Sequence, residues 1–300
     1  MSLTAGPLSL ARARELDAAD PLALLRESFW LPPGVVYLDG NSLGAQPVPV
    51  RARLGEVVDS EWGELLISGW TEAGWLEAPL RVGGKIAALI GASADEVVAC
   101  DSTSVNLYKL LVAALARSLR RVVLTEAENF PTDLYVAEAA CRQAGASLRV
   151  VARESLAAAL DPSVAVLMLT QVDFRSGYLH DLEALTSAAH SVGALALWDL
   201  SHSAGVMPIW LGRCEVDLAV GCGYKFLNGG PGAPAYLFVR RSLQEELGSP
   251  IQGWLGHASP FDFASSYLPA AGVGRFVAGT PPILALAALE VAVDVALEAD

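Results

Sequence analysis

Ala194-Leu195-Ala196-Leu197-Trp198-Asp199-Leu200-Ser201-His202, and later Gly223-Tyr224-Lys225-Phe226-Leu227-Asn228-Gly229-Gly230-Pro231-Gly232, are the two stretches that decide the fold. The first is an apolar run, 194–200, with the carboxylate Asp199 near its end. The second follows another apolar run, 216–222. Uninterrupted apolar strands are buried on both faces, which is the signature of a parallel sheet between layers of helices. Working outward, short strands are predicted at 122–125, 148–152, Val164–Thr170 and 235–240. Helices are predicted at 133–143 and Leu182–Ser191, and Gly193 suits a left-handed cap after the second. The predicted class is α/β with a mostly parallel sheet. The first 60 residues differ: a helix at 11–17, then Pro32, Pro33 and a turn-rich run at 39–44. They read as a lead-in that packs on the large domain, expected over 61–285.

The chain has 300 residues, 53% of them hydrophobic, and a net charge of −13. So acidic a balance argues against a general nucleic-acid binder, which needs a basic surface. Mean hydropathy is high, at +0.41. The most apolar stretch, 281–295, is interrupted by Glu290 and Asp294, so a membrane span is not expected. Arg12, Glu15, Asp17 and Asp20 leave no room for an apolar signal core near the start. Cys100, Cys141, Cys214 and Cys222 fit neither a zinc site nor a disulfide framework, so reduced thiols in a cytoplasmic protein are expected.

In an open parallel sheet, ligands bind beyond the carboxyl ends of the strands. Asp199 ends one strand, His202 follows it, and Lys225 comes after the next strand. A lysine that can condense with an aldehyde, beside a carboxylate that can hold a pyridine nitrogen protonated, is what pyridoxal-phosphate (PLP) chemistry requires. Taken singly, Asp-x-x-His also serves capping or packing, and the Gly/Pro run also reads as a plain loop. Ser102-Thr103-Ser104 precedes a helical pattern at 105–116, which makes either an anion site or an ordinary N-cap.

Five motifs occur in order: Gly40-Asn41-Ser42-Leu43-Gly44, Phe130-Pro131-Thr132-Asp133, Asp199-Leu200-Ser201-His202, Tyr224-Lys225-Phe226-Leu227-Asn228 and Gly279-Thr280-Pro281-Pro282. Together they resemble the kynureninase family of fold type I PLP enzymes, from about residue 35 onward. The resemblance implies PLP on Lys225, with Asp199 on the pyridine nitrogen and His202 near the ring oxygen. It implies Phe130 stacked on the ring, with Asp133 and Thr170 helping to hold it. Thr103, Ser104 and Tyr224 would bind the phosphate, and Trp254 and Thr280 would arrive from the partner subunit of a homodimer. Tyr224 would also move protons. Trp70 and His257 are candidates for the substrate pocket, although a tryptophan in this region more often belongs to the core. The implied reaction is hydrolysis of the Cβ–Cγ bond of kynurenine or 3-hydroxykynurenine, giving anthranilate and L-alanine. Family members are longer, so 286–300 is expected to begin a linker helix toward a small domain that supplies the carboxylate-binding arginine and is missing from this chain. Rival readings are an aminotransferase, a cysteine desulfurase or a cofactor-free binding protein of the same fold. No cysteine lies beyond Cys222, which counts against the desulfurase.

Overall fold

The computed structural model describes residues 9–299; the first eight residues and Asp300, the two ends of the expected lead-in and linker helix, lie outside the described residues. Its main sheet has seven strands: β1 (Val97–Ala99), β2 (Val122–Glu126), β3 (Ser147–Val151), β4 (Val164–Thr170), β5 (Leu195–Asp199), β6 (Leu218–Gly221) and β7 (Tyr236–Val239). Their spatial order is β1-β7-β6-β5-β4-β2-β3. β3, β2, β4, β5 and β6 are mutually parallel, and β7 runs antiparallel to both β6 and β1. The mostly parallel sheet therefore holds. β1 and the reversed direction of β7 were not expected. Three residues show no periodicity, and an apolar strand does not reveal which way it runs.

Five helices cover the sheet: α1 (Ala78–Leu89), α2 (Thr103–Arg117), α3 (Pro131–Ala144), α4 (Leu182–Ser191) and α5 (Ile283–Leu297). Side chains alternate across each strand, so each strand feeds two cores. Val97, Ala99, Leu167, Ala196, Trp198, Ala219 and Phe238 pack against α1, α4 and α5 through Ile86, Ala189 and Leu289. Val98, Val123, Val166, Leu197, Val220 and Leu237 pack against α2 and α3 through Leu107, Leu111 and Ala140. The indole N–H of buried Trp198 is satisfied by Thr186 Oγ1 at 3.0 Å.

Val164–Thr170 and Leu182–Ser191 form as predicted, and Gly193 takes φ +74° as a left-handed cap. The strands predicted at 194–200, 216–222 and 235–240 are each shorter at both ends, because ladder pairing stops before the apolar run does. The apolar run at 281–295 folds as α5, with Glu290 taking ion pairs from Arg81 and Lys85 on α1. Among the described residues, no helix is long and apolar enough to cross a membrane. All four cysteines are unpaired, and Cys100, Cys141 and Cys222 are buried.

Candidate active site

β4 and β5 are in register at their carboxyl ends, so Thr170 lies opposite Asp199. Asp199 Oδ1 accepts the Ser201 N–H at 2.7 Å as the chain turns out of the strand. Asp133, in the first turn of α3, points back to this place. It is 3% exposed, and its carboxyl contacts Thr170 Oγ1 at 3.3 Å. Burial, then the adjacent Asp199 carboxylate, push the Asp133 carboxyl well above its ordinary range.

Lys225 stands on the loop after β6, with Nζ 2.9 Å from His202 Nε2 and 5.7 Å from the centre of the Phe130 ring. Burial, then the Lys225 charge, hold the His202 imidazole below its usual value. The sequence has three lysines. Lys85 is paired with Glu290 and Asp294, and Lys109 is wholly buried against Asp101 at 2.6 Å and the Phe276 carbonyl at 2.7 Å. Among the described residues, Lys225 alone of the three lacks a carboxylate ion pair. Tyr224 beside it is raised by burial and by the nearby Cys222 and Asp199.

The loop is clasped from the N-terminal side. Gly44 N–H donates to the Tyr224 carbonyl at 2.8 Å, and a Cβ at Gly44 would collide with the Lys225 carbonyl and the Asn228 side chain. The glycine thus allows the 40–44 turn to touch the lysine loop's backbone.

The other expected residues divide into groups. Thr103 and Ser104 occupy the first turn of α2, whose N-cap Ser102 accepts the Val105 N–H. Thr280 borders a cleft with Asp101 and Gly232, just before that helix. Trp254 packs edge-on against Trp70 at 6.3 Å and Phe261 at 6.0 Å. His257 shares a cleft with Trp254 and is held by the Ser259 N–H at 2.9 Å. Two residues at the centre were missed from sequence. Asn129 bonds Thr125, Thr170 and the Phe130 N–H, and Gln171 is buried with its N–H on the Asp199 carbonyl. Position next to Phe130 and Thr170 was the sole signal for either.

What the site can hold follows from its donor set. His202 Nδ1 and Gln171 Oε1 are buried polar atoms with no hydrogen-bond partner in the protein, and such groups call for a ligand or water. A planar pyridine bearing an aldehyde fits: an amine for the aldehyde, a buried carboxylate for the ring nitrogen, and a phenyl face for the ring.

Comparison with known proteins agrees with that chemistry. The family model Aminotransferase class-V matches residues 80–300. A kynureninase of Deinococcus radiodurans is 50% identical over 294 residues, covering 96% of this chain and 72% of the relative. One from Pseudomonas fluorescens is 49% identical over 293 residues, covering 95% and 70%. A cysteine desulfurase structure from Thermococcus onnurineus has a TM-score of 0.76 at 21% identity, over 91% of this chain and 70% of that one, a likeness of fold alone. Half the residues shared over nearly the whole chain, on this sheet and around this lysine, show that the chain belongs to the kynureninase family.

Proposed function

We propose that the protein is a PLP-dependent hydrolase that cleaves the Cβ–Cγ bond of kynurenine or 3-hydroxykynurenine, releasing anthranilate and L-alanine. The observation that carries the reading is the placement of Lys225, free of any carboxylate ion pair among the described residues, beside the strand end that bears Asp199. Membership of the kynureninase family supports the choice of substrate. When bound, the cofactor supplies an electron-accepting ring. The remaining work falls to the chain's own residues.

In this reading Lys225 Nζ holds the cofactor and then takes the substrate's α-proton. Asp199 keeps the pyridine nitrogen protonated, Phe130 covers the ring face, and Asp133, Thr170 and His202 fix its edge. Thr103, Ser104 and the Tyr224 hydroxyl receive the phosphate, where free N–H groups at the start of α2 favour an anion. Tyr224 also passes a proton to and from the substrate. Trp70 and His257 border the substrate's aryl ring. Residues 61–285 act as the cofactor-binding domain, 1–60 as a lead-in that packs on it, and 286–300 as the start of a linker helix. The active unit is a homodimer in which Trp254 and Thr280 complete the neighbour's phosphate site. Mixed dimers of Lys225→Ala and Trp254→Ala chains should then recover activity that neither variant has alone; no recovery after verified exchange would place each site within one chain.

The deciding experiment incubates the full-length protein, small domain included, with PLP and L-kynurenine and follows anthranilate fluorescence and alanine. Equal amounts of both are expected, with borohydride fixing the pyridoxyl group to Lys225 and turnover lost in Lys225→Ala. A keto acid without anthranilate would instead identify an aminotransferase.

A further inference from the structure

The polar contacts around Thr170 allow the protons of the buried carboxyl pair to be counted. Asn129 Nδ2 donates to Thr125 Oγ1 at 3.0 Å, and Asn129 Oδ1 accepts the Phe130 N–H at 2.7 Å. Those two bonds fix which end of the amide is oxygen. The same Oδ1 lies 2.5 Å from Thr170 Oγ1. Two oxygens so close share a hydrogen, and only the hydroxyl has one. Thr170 Oγ1 is also 3.3 Å from Asp133 Oδ2. A hydroxyl has a single hydrogen, and the shorter contact takes it. Thr170 therefore shows Asp133 a lone pair, which an ionised carboxylate would not tolerate without another donor.

The charged neighbours of Asp133 are the Asp199 carboxyl, which favours its neutral form, and Lys225, whose weaker opposite pull does not reverse that. Two neighbouring carboxyls, 3% and 5% exposed, are held more cheaply with one charge between them than with two. The backbone says which one is charged. Ser201 N–H donates to Asp199 Oδ1 and favours the anion there, while no backbone N–H is directed at the Asp133 carboxyl among the described residues.

We infer that Asp133 is a neutral carboxylic acid that donates its proton to Asp199, and that Asn129 is a positioning residue which keeps it neutral by occupying the Thr170 hydrogen. The pair then carries one charge in place of two. The consequence for catalysis rests on the reading above: a single, oriented carboxylate is left for the pyridine nitrogen, with its second oxygen restrained by Asp133.

Infrared difference spectroscopy on the full chain, with and without PLP, tests this. A protonated-carboxyl band is expected at neutral and mildly alkaline pH in both states, and Asp133→Asn should remove it. Asn129→Ala frees the Thr170 hydroxyl to donate to an ionised Asp133. The band's titration midpoint should then fall by about one pH unit, the worth of one hydrogen bond to a charged group. Asn129→Asp retains the acceptor and should keep the midpoint high, a rescue that simple loss of packing would not give. No band in the parent, or a band that survives Asp133→Asn, overturns the assignment. An unmoved midpoint in folded Asn129→Ala overturns the role of Asn129. If Asn129→Ala does not fold, the parent and Asp133→Asn spectra still decide the proton's place. A protein that shows the band but takes up no PLP would sink the functional reading and leave this assignment standing.

Discussion

Four buried carboxyls gather near the carboxyl ends of β2, β4 and β5, yet Glu126 and Asp173 have an arginine between them while Asp133 and Asp199 do not. Arg153, just after β3, reaches Glu126 Oε2 at 2.9 Å and Asp173 Oδ2 at 2.7 Å. His180 Nε2 meets the other Glu126 oxygen at 2.9 Å, and Tyr178 covers the guanidinium at 4.3 Å. Burial alone would raise Glu126, but hydrogen bonds from His180 and Arg153 bring it below its ordinary value. Burial is likewise outweighed at Asp173, by the Ser176 N–H, Arg153 and the Arg175 N–H. At Asp133 burial and Asp199 act in the same direction, and the weaker pull of Lys225 does not reverse them. The first cluster is saturated within the protein and holds the loop that carries Phe174, which packs edge-on against Phe130 at 5.1 Å. The second has no arginine between its carboxyls, and its nearby cation is Lys225. One cluster supports the platform; the other, in the function proposed above, holds the cofactor ring.

Arg153→Met should break this contrast most severely, because it strands two carboxylates that are nearly inaccessible. A loss of about 3–5 kcal/mol is expected in urea unfolding, the usual result of removing one partner from a buried ion pair. Arg153→Lys should recover only part of it, since an ammonium lacks the planar fork that spans both acids. Asp199→Asn should do the reverse. Turnover falls about a hundredfold or more with the loss of a preorganised charge, while the melting temperature of the cofactor-free protein rises because a buried charge is gone. A fall in both would show that Asp199 is structural.

The smallest effect is the most diagnostic in sign. Glu126 and Asp173 are lowered in the folded state, so their contribution is present above the unfolded value and is lost as pH falls through the folded one. Asp133 is raised, so the folded protein binds the extra proton and stability declines as pH climbs from the ordinary carboxylate range toward the folded value. Urea midpoints across the acid and neutral range should show both slopes. Asp133→Asn should flatten the upper one alone, and Arg153→Met should weaken the acid one.

Val164–Thr170 was legible end to end because a strand buried on both faces has to be apolar throughout. Lys225 and Asp199 stood out as a pair, set at and after the ends of consecutive apolar strands, although each taken singly also suits capping, packing or a plain loop. Asn129 and Arg153 were not legible. An asparagine before Phe130 looks like a turn residue, and its importance comes from Thr170, which only strand register brings to it. Arg153 and Glu126 are 27 positions apart and look like surface charges until parallel pairing of β2 with β3 sets them side by side. The meeting of Trp70 with Trp254 was hidden for the same reason: partner identity is a property of the folded chain.

The reversed strand also puts the molecule in order of time. β1 is made early, but among the described residues its only neighbour in the sheet is β7, with Val97 against Phe238 and Ala99 against Tyr236. During synthesis from the amino end, the strands from β2 to β6 can assemble while β1 waits. Closing so long a loop is slow, so the edge should join late. α2, with Thr103 and Ser104 in its first turn, leaves directly from β1. That turn is therefore expected to settle only once β7 has been made, so that the last of these strands to be synthesised positions the first.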